Sequence, residues 1–197
     1  MFISLEGIDG SGKSTQARRL ADTLRARGHA VTLTREPGGS EGAEAIRRLL
    51  VEGEPDRWSA ETELLLFNAA RRDHLERLID PALARGDWVV TDRFADSTRV
   101  YQATRGGSRD TVDALHHLMI GREPDLTVLI DMDPREALSR GLARASGEDR
   151  FEDLGLAFQE RLRAGFLSLA QEFPDRIRTV DGAADAGTVA ARIEALL

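Results

Sequence analysis

A glycine-rich segment near the N-terminus constrains the fold more than any other part of the chain. The short apolar run 2–5 leads into Gly7-x4-Gly12-Lys13-Ser14, and apolar residues recur at helical spacing over 17–24. A strand, a glycine loop and a helix in this order are the context that a P-loop requires. The glycines let backbone N–H groups turn inward around phosphate oxygens, at a helix N-terminus that already favours anions. The nucleotide-binding residues predicted here are Gly7, Ile8, Asp9, Gly10, Ser11, Gly12, Lys13, Ser14 and Thr15.

Two side chains of this loop have a predicted chemical role. Lys13 is expected to reach the β- and γ-phosphates of a nucleoside triphosphate, and the Ser14 hydroxyl is expected to ligate Mg²⁺. Lys13 is the only lysine among the 27 basic residues, and all the others are arginine. A compact ammonium on a flexible stem suits this loop, where a planar guanidinium would be too bulky.

Length and composition limit the class of protein. The 197 residues suffice for one domain, so we expect a single domain over 1–197 with inserted functional loops. The composition, 41% hydrophobic and 31% charged, is that of a globular protein, and no apolar run approaches the ~20 residues of a membrane span. The chain has no cysteine and no signal-peptide pattern, so a cytoplasmic location without membrane attachment is expected.

The charge balance argues against one class of partner. A net charge of −7 does not favour binding to nucleic-acid polymers, which usually need a basic surface. A phosphate-bearing ligand must therefore be attracted by a few converging arginines.

Strand and helix patterns alternate along the chain. Continuously apolar strands, such as those at 88–91 and 126–131, indicate a parallel sheet that is covered on both faces. We predict an α/β fold, a P-loop NTPase-type three-layer sandwich with a parallel sheet of about five strands and helices on both faces. Ligands collect at the carboxyl ends of the strands in such sheets. The P-loop, Arg35-Glu36, Asp92-Arg93 and Asp131 are expected to meet there.

Four local expectations can be compared with the structure. A helix beginning at Ser59 is expected to be interrupted or kinked at Pro81. The stretch 95–107 is expected to be a polar segment that precedes a helix beginning at Ser108. A segment at about 140–152, rich in Arg and Gly, resembles a mobile lid, and another helix is predicted over about 151–173.

The stretch after the 88–91 strand carries a family signature. Asp92-Arg93-Phe94, then Ser97-Thr98 and Tyr101-Gln102 at matching spacings, resembles the signature of the thymidylate kinase family. The resemblance also takes in the P-loop, the loop Arg35-Glu36-Pro37-Gly38-Gly39, Phe67 with Arg71, and the lid. It covers most of the chain and is weakest after about residue 155. It implies transfer of the γ-phosphoryl group of ATP to dTMP, with Mg²⁺ as cofactor. We also expect a homodimer: the apolar residues 64–67 run round a helical turn, and either a partner or the same subunit covers them on more than one side.

The residue types suit a monophosphate acceptor. Phe67 and Arg71 lie four residues apart on one helix and so share a face. Phe67 is expected to stack on a base, and Arg71 is expected to grip a phosphate. Arg93 leaves a strand at the ligand edge and is expected to touch the phosphates of both substrates. Asp92 either orients Arg93 or holds the water shell of the metal.

The remaining acceptor contacts are implied by the resemblance. Tyr101 and Gln102 match the positions that read sugar and base, and Asp9 matches the acid near the 3′-hydroxyl. The predicted acceptor site comprises Asp9, Glu36, Pro37, Phe67, Arg71, Arg93, Ser97, Thr98, Tyr101 and Gln102, and the predicted metal-binding residues are Ser14 and Asp92.

An arginine that follows the developing charge raises phosphoryl-transfer rates by roughly 10³ to 10⁵. In the thymidylate kinase family it comes from the P-loop or from the lid, and this P-loop contains no arginine. We therefore expect a lid arginine, Arg150 first and Arg144 second, with Arg140 near the nucleotide. The predicted catalytic residues are Lys13, Asp92, Arg93, Arg144 and Arg150.

Two other functions stay open at this point. Another nucleoside or nucleotide kinase would share the P-loop and the Asp-Arg element. A nucleotide-dependent switch is the rival from a different class, but base recognition of the Asn-Lys-x-Asp type is impossible because Asn68 is the only asparagine. His116 and His117 are adjacent and so point to different sides of a helix, which makes a structural role the expectation.

Overall fold

The computed structural model describes residues 1–54, 57–142 and 155–197. Its centre is a five-stranded sheet in the order β2-β3-β1-β4-β5, with every neighbouring pair parallel. The strands are β1 (Phe2–Glu6), β2 (Val31–Arg35), β3 (Trp88–Asp92), β4 (Leu126–Asp131) and β5 (Ile177–Asp181). The predicted parallel sheet of about five strands is confirmed.

Helices connect the strands and cover both faces of the sheet. They are α1 (Lys13–Ala26), α2 (Glu41–Val51), α3 (Ala60–His74), α4 (Asp80–Ala84), α5 (Ala95–Thr104), α6 (Arg109–Leu115), α7 (Pro134–Leu142), α8 (Leu156–Glu172) and α9 (Ala186–Glu194). Two short π-helical segments, Leu75–Ile79 and His116–Ile120, follow α3 and α6 without a break. Among the described residues, no helix combines the length and the apolar character that crossing a bilayer would need.

The apolar core has a layer on each side of the sheet. On one face, Leu20 and Leu24 of α1 and Ile193 of α9 pack with Ile3 and Val128 of the central strands. On the other face, α8 contributes Phe158, Leu162, Phe166 and Leu169 to a cluster that includes Leu129 of β4. Both layers bury the near-continuous apolar strands, which accounts for their composition.

The strand order places one crevice at the middle of the sheet. β1 is central, and the connection that leaves it runs to β2 on one side, whereas the connection that leaves the adjacent β3 runs to β4 on the other side. Ligands bind at this switch point in doubly wound sheets, outside the carboxyl ends of the strands. The loop after β1, residues 7–12, and the Asp92-Arg93 segment after β3 both emerge at this edge.

The stretch 95–107 is polar as expected, but it contains a helix that was not predicted, because α5 occupies Ala95–Thr104. Every residue from Ala95 to Gln102 is buried, and most of these side chains are polar. Arg99 illustrates why they can be buried, since its guanidinium bonds Asp96 at 2.8 Å and Asp113 at 3.0 Å. A helix that is covered by polar contacts shows no apolar stripe, so the helical period is hidden in the sequence.

The helix after Ser59, expected to be interrupted or kinked at Pro81, is not interrupted there, since helical structure continues from α3 through Pro81 to Ala84. The wide turn Leu75–Ile79 precedes the proline, and Asp80 N–H bonds Leu75 O there. Pro81 has no N–H, and it lies where the helix changes its hydrogen-bonding register. The expected lid at 140–152 and the start of the 151–173 helix lie largely outside the described residues, whereas Leu156–Glu172 is helical as expected.

Candidate active site

The glycines of the P-loop are required by geometry. Gly7, Gly10 and Gly12 all have positive φ, at 141°, 83° and 95°. A Cβ at Gly7 would lie 2.6 Å from Ile130 O, and one at Gly10 would lie 1.9 Å from Ala137 O. The loop therefore touches the backbone of β4 and α7 at a distance that no side chain permits.

Lys13 begins α1 and is buried, with 6% of its surface exposed. Its Nζ donates to Ile8 O at 2.8 Å, so the loop itself holds the ammonium group. Burial, and then the neighbouring Arg93, lower the pKa of Lys13 to about 8. The negative charge of an incoming phosphate would raise this pKa again, because it stabilises the protonated ammonium.

The residues predicted for Mg²⁺ lie together. Ser14, in the first turn of α1, and Asp92, at the end of β3, line the same cavity. Asp92 Oδ1 is buried and accepts no hydrogen bond from any described residue. Mg²⁺ is usually held by one or two protein oxygens together with substrate phosphates and water. A hydroxyl and an orphaned carboxylate oxygen fit that requirement.

Arg93 joins the P-loop to the rest of the site. Its Nη1 donates to Gly7 O at 3.2 Å and to Ser97 Oγ at 2.8 Å. Its Nη2 donates to Asp9 Oδ1 and, at 3.0 Å, to the Tyr101 hydroxyl. The φ angle of Arg93 is +71°, in the left-handed region that residues with a side chain rarely adopt. The turn directs the guanidinium back over the loop that follows β1.

Asp9 and Tyr101 complete this cluster. The Tyr101 hydroxyl donates to Asp9 Oδ2 at 2.7 Å, and its ring lies 5.0 Å from the Arg93 guanidinium carbon. Burial alone would raise the pKa of the Asp9 carboxyl, but the charges of Arg93 and Lys13 hold that pKa below its usual value. Asp9 is therefore an anion between two cations.

Arg71 is held by fixed partners in the interior of the site. Only 3% of it is exposed, and its Nε donates to Glu36 Oε2 at 2.7 Å. Its Nη2 bonds Thr98 Oγ1 at 2.8 Å, and the guanidinium lies over the Phe94 ring at 5.2 Å. The carboxylate of Glu36 thus balances the charge of Arg71 before any ligand binds.

His74 extends this buried chain of contacts. Its Nδ1 lies 3.0 Å from Glu36 Oε1, and its Nε2 lies 2.7 Å from Thr34 Oγ1. His74 has no exposed surface. Contacts therefore run from Thr34 in β2 through His74 and Glu36 to Arg71, and fix the position of Arg71 from behind.

The predicted acceptor residues share one cavity, with one exception. The cavity is lined by Asp9, Glu36, Pro37, Arg47, Val51, Phe67, Arg71, Arg93, Phe94, Ser97, Thr98 and Tyr101. Gln102 does not line it, because its side chain is buried and its Nε2 lies 3.5 Å from Glu63 Oε2. The structure brings the other nine predicted residues together.

Three cavity residues were missed from the sequence. Arg47 donates to Pro37 O at 2.5 Å, Val51 ends α2, and Phe94 lies beneath Arg71. Arg47 and Val51 lie four residues apart on α2, and this shared helix face was the available signal.

The predicted lid arginines fall into two groups. Arg140 lies on α7, where its Nη2 donates to Glu136 Oε1 at 2.8 Å. Arg144 and Arg150 lie outside the described residues, so their roles stay predictions.

Comparison with known proteins agrees with this geometry. A family model described as Thymidylate kinase matches residues 5–193. The chain is 69% identical over 198 residues to a thymidylate kinase of Jannaschia sp. (strain CCS1), which covers all of this chain and 95% of that relative. It is 72% identical over 197 residues to a thymidylate kinase of Dinoroseobacter shibae, with the same coverage. A crystal structure of thymidylate kinase from Ehrlichia chaffeensis superposes with a TM-score of 0.82 at 33% identity, covering 100% of this chain and 97% of that one. With a P-loop fold, a second cavity beside it and these relatives, the chain belongs to the thymidylate kinase family, a family of phosphotransferases.

Proposed function

We propose that this protein transfers the γ-phosphoryl group of ATP to dTMP in a Mg²⁺-dependent reaction, giving dTDP and ADP. The observation that carries the proposal is the position of Arg93. One of its nitrogens bonds Gly7 O in the P-loop, and the other bonds Asp9 and Tyr101 in the adjacent cavity. A single guanidinium can therefore contact the phosphates of two substrates.

The donor phosphates are assigned to the P-loop. Its backbone N–H groups and Lys13 would hold the β- and γ-phosphates. Ser14 and Asp92 would hold Mg²⁺, which would neutralise part of the charge that develops on transfer. Arg150, with Arg144 second, stays the predicted lid arginine.

The acceptor base is assigned to the cavity between Phe67 and Arg71. Phe67 is half-buried and would stack on the base. The sequence pattern predicts a phosphate contact for Arg71. Because the carboxylate of Glu36 already balances the charge of Arg71, we assign Arg71 instead to a carbonyl oxygen of the base. Arg47 and Arg93 are the other arginines of this cavity, and we assign the acceptor phosphate to them.

The reaction needs no general base from the protein. The second pKa of a phosphate monoester is about 6, so its oxygens are mostly anionic at neutral pH. The protein must hold the phosphate groups of donor and acceptor in line although they repel each other. The positive charges of Lys13, Arg47 and Arg93 would offset that repulsion.

We also propose that the protein is a homodimer. Three large apolar side chains, Leu65, Leu118 and Met119, are 57%, 76% and 45% exposed, and we call them the apolar patch. Arg72 lies two helical turns after Leu65, and its Nη1 donates to Met119 O at 3.1 Å, which brings the two parts of the patch together. A second copy would cover the patch on both protomers at once if the two are related by a twofold axis.

A nucleotide panel tests the proposed reaction. The protein is mixed with ATP, Mg²⁺ and each of dTMP, dUMP, dCMP, dGMP and AMP, and ADP release is measured. We expect dTMP to give the highest kcat/KM, with dUMP lower by about 10- to 200-fold because one methyl group contributes ~1–3 kcal/mol in a pocket.

Two results would contradict the proposal. A higher kcat/KM for dCMP, dGMP or AMP would make the protein a different nucleotide kinase. ATP hydrolysis that no acceptor accelerates would favour a nucleotide-dependent switch. Lys13→Ala is the control, and it should abolish turnover with every acceptor.

A further inference from the structure

One buried carboxylate lies next to the site and has no role in the reaction proposed above. Glu6 is the last residue of β1 and directly precedes the P-loop. It has no exposed surface, and it does not line the acceptor cavity. A substrate therefore cannot touch it, and its two oxygens are used within the protein.

Both oxygens bind groups that control Arg93. Glu6 Oε1 accepts from Phe94 N at 2.7 Å, which fixes the backbone immediately after Arg93. Glu6 Oε2 accepts from Ser97 Oγ at 2.5 Å, and Ser97 Oγ in turn accepts from Arg93 Nη1 at 2.8 Å. One carboxylate thus constrains Arg93 through its main chain and through its guanidinium.

This double contact matters because Arg93 has an unfavourable backbone conformation. Its φ of +71° is the only positive value at a residue other than glycine in the part of the chain that the structure describes. Such a conformation persists only when the surroundings determine it fully. The bonds from Arg93 N to Leu5 O and from Thr91 Oγ1 to Arg93 O contribute, and Glu6 fixes the residue that follows.

We propose that Glu6 is a positioning residue that sets the location of the Arg93 guanidinium without contacting either substrate. The inference rests on the proposed function, since it gives Arg93 its role between two phosphates. It adds to that function a residue that does not line the acceptor cavity and acts only through Arg93.

The chemistry of Ser97 explains why a carboxylate is needed. A carboxylate only accepts, so the Ser97 hydroxyl must donate to it and keeps its lone pairs for Arg93. An amide at position 6 could accept from Phe94 N only by turning its NH₂ group toward Ser97. Two donors would then converge on Ser97 Oγ, and the hydroxyl hydrogen would lose its acceptor.

Charged groups of both signs surround Glu6. Asp96 of α5 repels the Glu6 carboxylate, and Arg93 and Lys13 attract it. Burial and Asp96 together raise the pKa of Glu6 to about 7. A carboxylate is thus retained at a site that disfavours its charge.

The test compares Glu6→Gln with Ser4→Ala. Ser4 lies two residues earlier on the same strand, has no exposed surface, and bonds Thr127 Oγ1 at 2.9 Å, so it is a matched buried polar residue. We expect Glu6→Gln to lower kcat about 10- to 100-fold, with the KM values for ATP and dTMP changed less than about threefold. Ser4→Ala should retain the wild-type kcat. An unchanged kcat in Glu6→Gln, or a loss confined to KM, would overturn the inference.

A double-mutant cycle separates positioning from general damage. If Glu6 acts through Arg93, Glu6→Gln should lower kcat no further in an Arg93→Ala background, measured in single turnover at high enzyme concentration. A further loss of tenfold or more in that background would overturn the inference. Failure of the wild-type protein to phosphorylate dTMP would instead contradict the proposed function, so the two failures are distinguishable.

Discussion

Two residues in this site are in unfavourable states, one in its backbone conformation and one in its burial, and the surrounding contacts compensate for them. Arg93 has a left-handed backbone, at an expected cost of about 1–2 kcal/mol. Glu6 is an ionisable group without solvent contact. Local strain and buried charge concentrate at functional sites, and here both lie on the connection between the P-loop and the acceptor cavity.

The raised pKa of Glu6 predicts a pH-dependent stability. The folded protein binds this proton with a pKa of about 7, against an ordinary value of 4.5, so folding favours the protonated form. The stabilising contribution is complete below about pH 4.5 and is lost as the pH rises through 7. Glutamine does not titrate. The free energy of unfolding of Glu6→Gln should therefore rise relative to that of the wild type as the pH increases from 5 to 8.

Urea denaturation at several pH values measures this difference. Ser4→Ala is again the control, and its difference from the wild type should stay constant across the same range. A constant difference for Glu6→Gln would show that Glu6 has no raised pKa. If the stability and activity expectations both hold, the ionised form is kept for its function at a cost in stability.

The parts of the site that could be predicted from sequence are those that belong to a local motif. The P-loop glycines, Lys13 and Arg93 follow from motif spacing. Gln102 could not be placed, because Glu63 on another helix draws its amide inward. Glu6, His74 and Arg47 were not singled out, because their roles depend on partners that only the fold brings near.

At the scale of elements, the P-loop packs its backbone directly against α7 at one of its glycines. Gly10 has a backbone oxygen of Ala137 where its Cβ would be, at 1.9 Å, whereas Gly12 has nothing within 4 Å. Both have a positive φ. Alanine substitutions at Gly10 and Gly12 therefore distinguish the cost of a steric clash from the cost of backbone strain.

We expect Gly12→Ala to lower the free energy of unfolding by about 1–2 kcal/mol, from backbone strain alone. Gly10→Ala should lose about 1–3 kcal/mol more, because α7 or the loop must move. Urea denaturation of both variants without nucleotide measures the difference. Equal losses would contradict the close approach of the loop to Ala137.

The fold was predictable from elements whose burial is apolar, and not from those whose burial is polar. β1, β3 and β4 are mostly apolar and buried, and they were recognised for that reason. α5 was missed because Ser97, Arg99 and Gln102 are buried by hydrogen bonds and ion pairs. Periodicity reports which residues avoid water, and it does not report polar residues that have found partners.

At the scale of the whole molecule, the apolar patch is the feature that the single chain does not explain. Leu118 is 76% exposed, on the π-helical segment after α6. We expect the wild-type protein to sediment with twice the 21.6 kDa chain mass, and Leu65→Asp/Leu118→Asp to sediment as a monomer. Sedimentation velocity at micromolar concentration measures both.

The control for this prediction is Leu197→Asp. Leu197 is a 41% exposed leucine that follows α9 and lies outside the patch. Its substitution should leave the mass unchanged. A monomeric wild type, or a double variant that remains a dimer, would contradict the proposed interface.

The solitary lysine has a further consequence for the chemistry of the chain. Apart from the N-terminus, Lys13 is the only aliphatic amine in the molecule, and its pKa of about 8 leaves a sizeable unprotonated fraction at mildly alkaline pH. An amine-selective acylating reagent therefore has one side-chain amine to modify, located where the phosphates of the donor nucleotide would lie. Protection of that amine would act as an intrinsic reporter of occupancy, with no engineered label.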